Sequence, residues 1–239
     1  MQSIFKRYEA KYLVSKAQYA ALRRAMSPYM SPDQYGAYLV QNLYYDTAQW
    51  DVIRASIEKP AYKEKLRLRC YGMAEKDSLF YLELKKKYKG VVYKRRIELP
   101  AGALASHGVR TLTSNASSQI ARELSYYLQA NDVTERIYIA YQRAAFAGIA
   151  DEELRVTFDT DILFRTDDLR LANPSGGQCI LPEGQMLMEV KTLGGIPIWL
   201  ARTLSAHSIY PTNFSKFGTC YTAYISKQPK EERAVSVCA

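Results

Sequence analysis

Charged and apolar residues alternate one by one in short segments along much of the chain. No other feature constrains the fold as much, because only a β-strand repeats its side-chain direction every two residues. In KEKLRLRCYG, Lys63, Lys65, Arg67 and Arg69 share one face, and Leu66, Leu68 and Cys70 share the other. FYLELKKK sets Glu83, Lys85 and Lys87 against Phe80, Leu82 and Leu84, and LRVTFDTD sets Arg155, Thr157 and Asp159 against Leu154, Val156 and Phe158. MLMEVKT repeats the pattern with Glu189 and Lys191, and the first segment does so with Arg7, Glu9 and Lys11. VYKRRIEL carries Lys94, Arg96 and Glu98 on one face and Arg95 on the other. Strands are expected near 4–12, 38–46, 62–71, 79–87, 91–99, 136–146, 153–160 and 185–191, paired antiparallel, with hairpins at Gly90 and Gly148.

Helical periodicity is confined to stretches between these strands. SKAQYAALRRAM offers Ser15 as N-cap, places Leu22 and Met26 four apart, and stops at Pro28. SSQIARELSYYL aligns Ile120, Leu124 and Leu128, and GGIPIWLARTLSAH has Pro197 in its first turn with Leu200 and Leu204 four apart. GTCYTAYIS predicts a short C-terminal turn or helix. No repeat or low-complexity linker marks a boundary. One α+β domain over 1–228, followed by a flexible tail over 229–239, is therefore expected.

The 33 Lys and Arg outnumber the 24 Asp and Glu by enough to give a net charge of +9, which points to anionic partners: nucleic acid, an anionic membrane or phosphorylated molecules. The four cysteines form no C-x-x-C pair, the opening residues MQSIFKRYEAKY hold no apolar signal core, and no run of about 18 apolar residues could span a bilayer. A cytoplasmic protein with reduced thiols is expected. Any one charged face suits the outside of a β-sandwich. Solvated faces usually mix both signs, however, whereas here Lys and Arg dominate and Arg recurs at strand centres, where planar contacts to phosphate are made. Together the faces predict an inverted barrel, with polar sides turned inward around an anion-filled tunnel and apolar sides outward beneath helices.

In this order along the chain, RYEAKY, KLRLRCYG, YLELKKK, YKRR, AYQRAAF, LRVTFDTDI, LMEVKT and NFSKFGTCY resemble the catalytic domain of the vacuolar transporter chaperone (VTC) polyphosphate polymerases, a family of triphosphate tunnel metalloenzymes. The resemblance runs from about Arg7 to Tyr221. It implies a closed, eight-stranded antiparallel barrel with helices packed outside. It also implies that Arg67, Arg69, Lys85, Lys94, Arg143, Arg155 and Lys216 are the catalytic cations at the phosphates, and that Lys11 and Ser215 contact substrate. Tyr141 would lie against the nucleotide base, and Glu189, with Glu9 as second ligand, would hold Mn²⁺ or Mg²⁺. RYEAK departs from the superfamily's E-x-E-x-K signature by placing Arg7 where the first glutamate would stand. This argues against members that use both glutamates for metal.

The residue chemistry agrees with that implication. Glu189 has the oxygen donor a hard dication prefers, although a salt bridge to Lys191 or a nearby Arg would also account for it. Tyr141 alternates with Arg143, though most of the 20 tyrosines must serve packing, and Lys216 between Phe214 and Phe217 suits either a loop anchor or a lid. His107 and His207 are isolated, so neither a histidine base nor a zinc site is expected. A polyphosphate chain end is already an oxyanion, and its attack on the γ-phosphorus of ATP requires positioning and charge neutralisation without proton abstraction. The expected activity is a metal-dependent phosphotransferase, a polyphosphate polymerase that releases ADP. The alternatives are an inorganic or nucleoside triphosphatase of the same fold and a non-catalytic polyphosphate- or polyanion-binding module. ATP and polyphosphate are the expected partners, a membrane-protein partner is compatible with the sequence, and nucleic acid is not expected, since it would favour exposed basic stripes with stacking aromatics.

Overall fold

The computed structural model describes residues 8–89, 91–115 and 117–227. The expected strand residues before Tyr8 (Arg7 among them), Gly90 of the first hairpin, the tail 229–239 and Cys238 lie outside the described residues. The elements follow in the order β1 (Tyr8–Ser15), α1 (Lys16–Met26), β2 (Met30–Asp46), α2 (Asp51–Ile57), β3 (Tyr62–Tyr71), β4 (Leu79–Tyr88), β5 (Val91–Pro100), α3 (Ala101–Ser114) and α4 (Gln119–Ala130). They continue with β6 (Thr134–Gly148), β7 (Arg155–Arg165), β8 (Gln178–Cys179), β9 (Gln185–Thr192), α5 (Ile198–Ala206) and α6 (Lys216–Ala223). Hydrogen bonds link the strands in the order β1-β9-β7-β6-β2-β3-β4-β5, with β8 added to β7.

The chain forms two compact units. The first comprises the described residues of Met1–Tyr38, Tyr141–Ile162 and Leu181–Phe214. Here β1 runs antiparallel to β9, and β9 to β7. The apolar sides of these strands carry Tyr12, Val14, Val156, Phe158, Met188 and Val190, and they bury against Leu22 and Met26 of α1 and Leu200 and Leu204 of α5. Each such side chain, fully buried, stabilises the fold by roughly 1.5–3 kcal/mol. A capping box starts α1: Ser15 Oγ accepts from the Gln18 amide, and the Gln18 side chain accepts from the Ser15 amide.

The second unit comprises Leu39–Ala140, Leu163–Ile180 and the described residues of Ser215–Ala239. Strands β3, β4 and β5 form an antiparallel meander in which Leu68 faces Leu82 and Leu82 faces Ile97. The apolar side of this meander, with Leu66, Leu68, Leu82, Leu84 and Leu99, packs under Val109 of α3 and under Leu124, Tyr127 and Leu128 of α4. In each unit the helices therefore cover the apolar side of the strands, as the alternation predicts.

Several features differ from the sequence reading. The expected closed barrel requires the two edge strands to pair, whereas among the described residues the sheet is not closed by hydrogen bonds. Both edge strands carry charge, Glu9 and Lys11 on β1 and Lys94, Arg95 and Arg96 on β5, and such residues disfavour edge pairing. Helices α2 and α3 appear where none is expected. Pro197 is the N-cap of α5 rather than part of its first turn.

Candidate functional site

In the second unit, the meander side facing away from α3 and α4 is built in rows set by register. Arg67, Glu83 and Arg96 form one row, Lys65, Lys85 and Lys94 the next, and Lys63 with Lys87 the one after. Glu83 is almost fully buried at 1% exposure, and cations surround it. Both Nε and Nη2 of Arg67 lie 2.8 Å from Oε2, Lys94 Nζ pairs with Oε1, Arg69 Nε is 3.9 Å from Oε2, and Arg96 Nη1 is 3.7 Å from Oε1. Burial would raise the Glu83 pKa, but the charges of Arg67, Arg69 and Lys94 overrule it and bring the carboxyl down to about 2. The acid stays ionised and holds the guanidinium groups in place. Arg69 is fixed further by the buried Asn42, whose Oδ1 accepts from Nε at 2.9 Å, and by Tyr71, whose hydroxyl accepts from Nη1 at 3.2 Å.

The same side receives α6. Tyr44 lies in register with Arg67, accepts from its Nη1 at 3.1 Å, and packs its ring against Phe217 at 5.0 Å between centroids. Phe217 follows Lys216 at the start of α6, so burying its ring brings the Lys216 backbone to the charged side of the meander. Ser215 is the N-cap of this helix, its Oγ accepting from the Gly218 amide at 3.3 Å.

The first unit presents a different chemistry. Register aligns Lys11, Glu189 and Thr157 in one row and Glu9, Lys191 and Arg155 in the next, so acid and base alternate. Lys11 Nζ donates to the Phe214 carbonyl at 3.1 Å and lies 3.5 Å from Glu9 Oε1 and 3.9 Å from Glu189 Oε2. Glu189 Oε1 meets Lys191 Nζ at 2.7 Å, so the salt bridge allowed by their spacing is present. Arg143 is clamped by the fully buried Asp159, with Nε on Oδ1 at 2.7 Å and Nη2 on Oδ2 at 2.9 Å, and lies 5.1 Å from the centroid of the buried Tyr141 ring.

These acids fit a hard dication in kind. Two carboxylates converge on one ammonium, and the buried Thr157 hydroxyl, level with Glu189, has no hydrogen-bond partner among the described residues. Among those residues no group of three or more His, Cys, Asp or Glu is gathered. An ion held here would therefore draw the rest of its shell from phosphate oxygens and water.

The family model for the VTC domain matches residues 6–225. The chain belongs to the VTC domain family. No curated protein matches it. Among solved structures, this VTC domain is similar to a candidate adenylate cyclase from Vibrio parahaemolyticus at 13% identity and a TM-score of 0.48, over 94% of this chain and 99% of that one. It is also similar to a protein from Pyrococcus horikoshii OT3 at 12% identity and a TM-score of 0.38, over 84% and 86%. No described helix of the VTC domain is long and apolar enough to cross a membrane.

Of the residues expected at the site, Arg67, Arg69, Lys85 and Lys94 share one side of the meander, and α6 brings Lys216 and Ser215 to it. Lys11, Glu9, Glu189 and Arg155 share the adjacent rows of the first unit, where Tyr141 lies beside Arg143. Arg155 is exposed. Four residues that organise these groups were not expected there: Glu83, Asn42, Tyr44 and Asp159. Glu83 had a signal, being the single acid in a run of lysines directly across a hairpin from Arg67. Asp159 had none, because Arg143 reaches it only through pairing of separate strands.

Proposed function

We propose that this VTC domain is a polyphosphate polymerase, transferring the terminal phosphate of ATP to a growing polyphosphate chain. One observation carries the reading: the meander side bearing Glu83 has eight cations against two carboxylates, Glu83 and Glu98, across three neighbouring strands. Like charges in such proximity destabilise a sheet, and a polyanion relieves the repulsion. Membership of the VTC family supports the same substrate class.

Arg67 and Arg69, held planar and oriented by Glu83, Asn42 and the tyrosine hydroxyls, bind the phosphate oxygens in the bidentate manner available to guanidinium. Lys85, Lys94 and Lys216 neutralise charge as the new bond forms and ADP departs. On the first unit, Arg143, Arg155 and Lys11 serve as phosphate contacts. Ser215 is a further phosphate contact on the second unit, and Tyr141, buried beside Arg143 on the first, is the residue assigned to the nucleotide base. On the first unit, Glu189 and Glu9 would hold Mn²⁺ or Mg²⁺, which would supply charge neutralisation to bound phosphate. The attacking chain end is already ionised, so no side chain has to remove a proton.

A Glu189→Ala variant tests the assignment. It should lose ADP release from ATP and Mn²⁺ by about 10²-fold or more, on the scale of removing one preorganised electrostatic element, while tripolyphosphate still raises its melting temperature. Full activity in this variant would remove Glu189 from the metal role.

A further inference from the structure

We propose that Trp50 is a positioning residue for the phosphate site: its indole, held by the turn that Asp46 builds before α2, is the seat that sets α6, and with it Lys216, against the charged side of the meander. The role of Lys216 rests on the polymerase reading; the seat itself rests on packing within the second unit.

The turn comes first. Asp46 ends β2 fully buried, and its carboxylate accepts from the backbone on both sides of Trp50. Its Oδ1 accepts from the Thr47 amide at 2.8 Å and the Val52 amide at 2.9 Å, and its Oδ2 accepts from the Ile53 amide at 2.9 Å. The Thr47 hydroxyl accepts from the Asp51 amide at 3.1 Å and donates to the Asp51 carboxylate at 2.6 Å. These bonds fix the path of residues 47–53. Within it Trp50 takes φ 64° and ψ 34°, a left-handed conformation. Glycine occupies that region freely and a bulky side chain does so at a cost, so a tryptophan kept there points to a use for the ring.

The use is contact with α6. Phe217 meets the buried indole edge-on, with centroids 6.1 Å apart and planes at 64°, and Tyr221, one turn along α6, meets it at 6.1 Å. The Arg136 guanidinium of β6 lies 4.8 Å from the indole centroid. A buried tryptophan N–H usually finds an acceptor, but Trp50 Nε1 has no hydrogen-bond partner among the described residues, so shape holds this ring against its neighbours. Helix α2 approaches α6 again at Gly218, where a Cβ would stand 3.9 Å from Ile57 Cγ1. Phe217 touches Tyr44 as well as Trp50, and Tyr44 accepts from Arg67. Packed side chains thus run without a gap from Asp46 to Arg67, and Lys216 directly precedes Phe217 in that run. Truncating the indole leaves a void beside Phe217 and lets α6 settle into it. A misplacement of about 1 Å is enough to cost on the order of 10²-fold in rate.

The experiment is a double-mutant cycle in the full chain. Trp50→Leu, Lys216→Ala and the pair are compared with wild type for tripolyphosphate affinity, measured without ATP or metal, and for kcat of ADP release from ATP with Mn²⁺. Trp50→Leu alone should lower both by about tenfold. In the Lys216→Ala background it should change either by less than about twofold, because the group it positions is gone. Trp50→Phe keeps a ring and should stay within about threefold of wild type. The half-buried Tyr221 breaks the same contact more gently: Tyr221→Leu should lose about threefold, and nothing further in Lys216→Ala. Losses that multiply in the double variants would assign Trp50 a general structural role and overturn the proposal, as would wild-type values in Trp50→Leu. Wild-type values in Lys216→Ala would leave nothing to position and overturn it too. A protein that shows the expected non-additivity in tripolyphosphate binding but makes only orthophosphate from ATP keeps the seat and loses the polymerase assignment.

Discussion

Replacing Glu83 by Gln keeps the shape of the side chain and removes its charge, which isolates what that charge contributes. The carboxyl is 1% exposed and its pKa falls from 4.5 to about 2, burial being overruled by Arg67, Arg69 and Lys94. One pKa unit corresponds to 1.36 kcal/mol, so the ionised form contributes about 3 kcal/mol of folding free energy at neutral pH. Because the folded value lies below the unfolded one, the contribution is complete above about pH 4.5 and disappears as the pH falls through about 2. Glu83→Gln should therefore lower the unfolding free energy by about 3 kcal/mol at pH 7 and the melting temperature by roughly 6–12 °C for a chain of this size. The difference from wild type should shrink to about half by roughly pH 3. Urea unfolding of both proteins, followed by circular dichroism at several pH values, measures the difference directly. A gap of the same size at pH 3 and pH 7 would mean that packing rather than charge is responsible. Absence of a gap at pH 7 would refute the anchoring role of Glu83.

Arg67→Ala should slow ADP release by about 10²-fold, as loss of a preorganised donor does, and an undiminished steady-state rate would remove Arg67 from the reaction. Asp159→Asn leaves the Arg143 guanidinium without its buried anion and should cost about 3–5 kcal/mol in urea unfolding; a loss below about 1 kcal/mol would show that the clamp is not stabilising. Arg165 donates to the carbonyls of Asp168, Arg170, Asn173 and Ser175 at 2.5–3.1 Å, so Arg165→Ala should speed hydrogen exchange across 166–177. Unchanged exchange there would show that the loop holds itself.

Alternation made most of the strands legible, since a segment with one apolar side must place it over a core. Strand β2 begins earlier than expected, at Met30, because Pro32 and Gly36 in its first half read as turn residues. Helix α2 has no side-chain cap at its N-cap residue: it follows Trp50 in a left-handed conformation, its first amide is met by Thr47 Oγ1, and the next two are met by Asp46 from the end of β2. Helix α3 is masked by small residues and by Gly108, whose φ of 70° interrupts the helical path. At the site, residue types were readable but partnerships were not. The cationic side of β3 is visible in KEKLRLRCYG, whereas the convergence of Arg67, Arg69, Lys94 and Arg96 on Glu83 exists only after three strands pair in one register. The same holds for Lys11 between Glu9 and Glu189. Spacing placed the acids on one segment each, and pairing of β1 with β9 brought them together.

The measurement that bears most directly on the central claim is the product formed from ATP. Purified protein with ATP, Mn²⁺ and a short polyphosphate primer should yield a ladder of lengthening polyphosphate on a gel, with one ADP released for each phosphate incorporated. Release of free orthophosphate with no ladder, under the same conditions and with primer present, would contradict the polymerase and identify the protein as a triphosphatase.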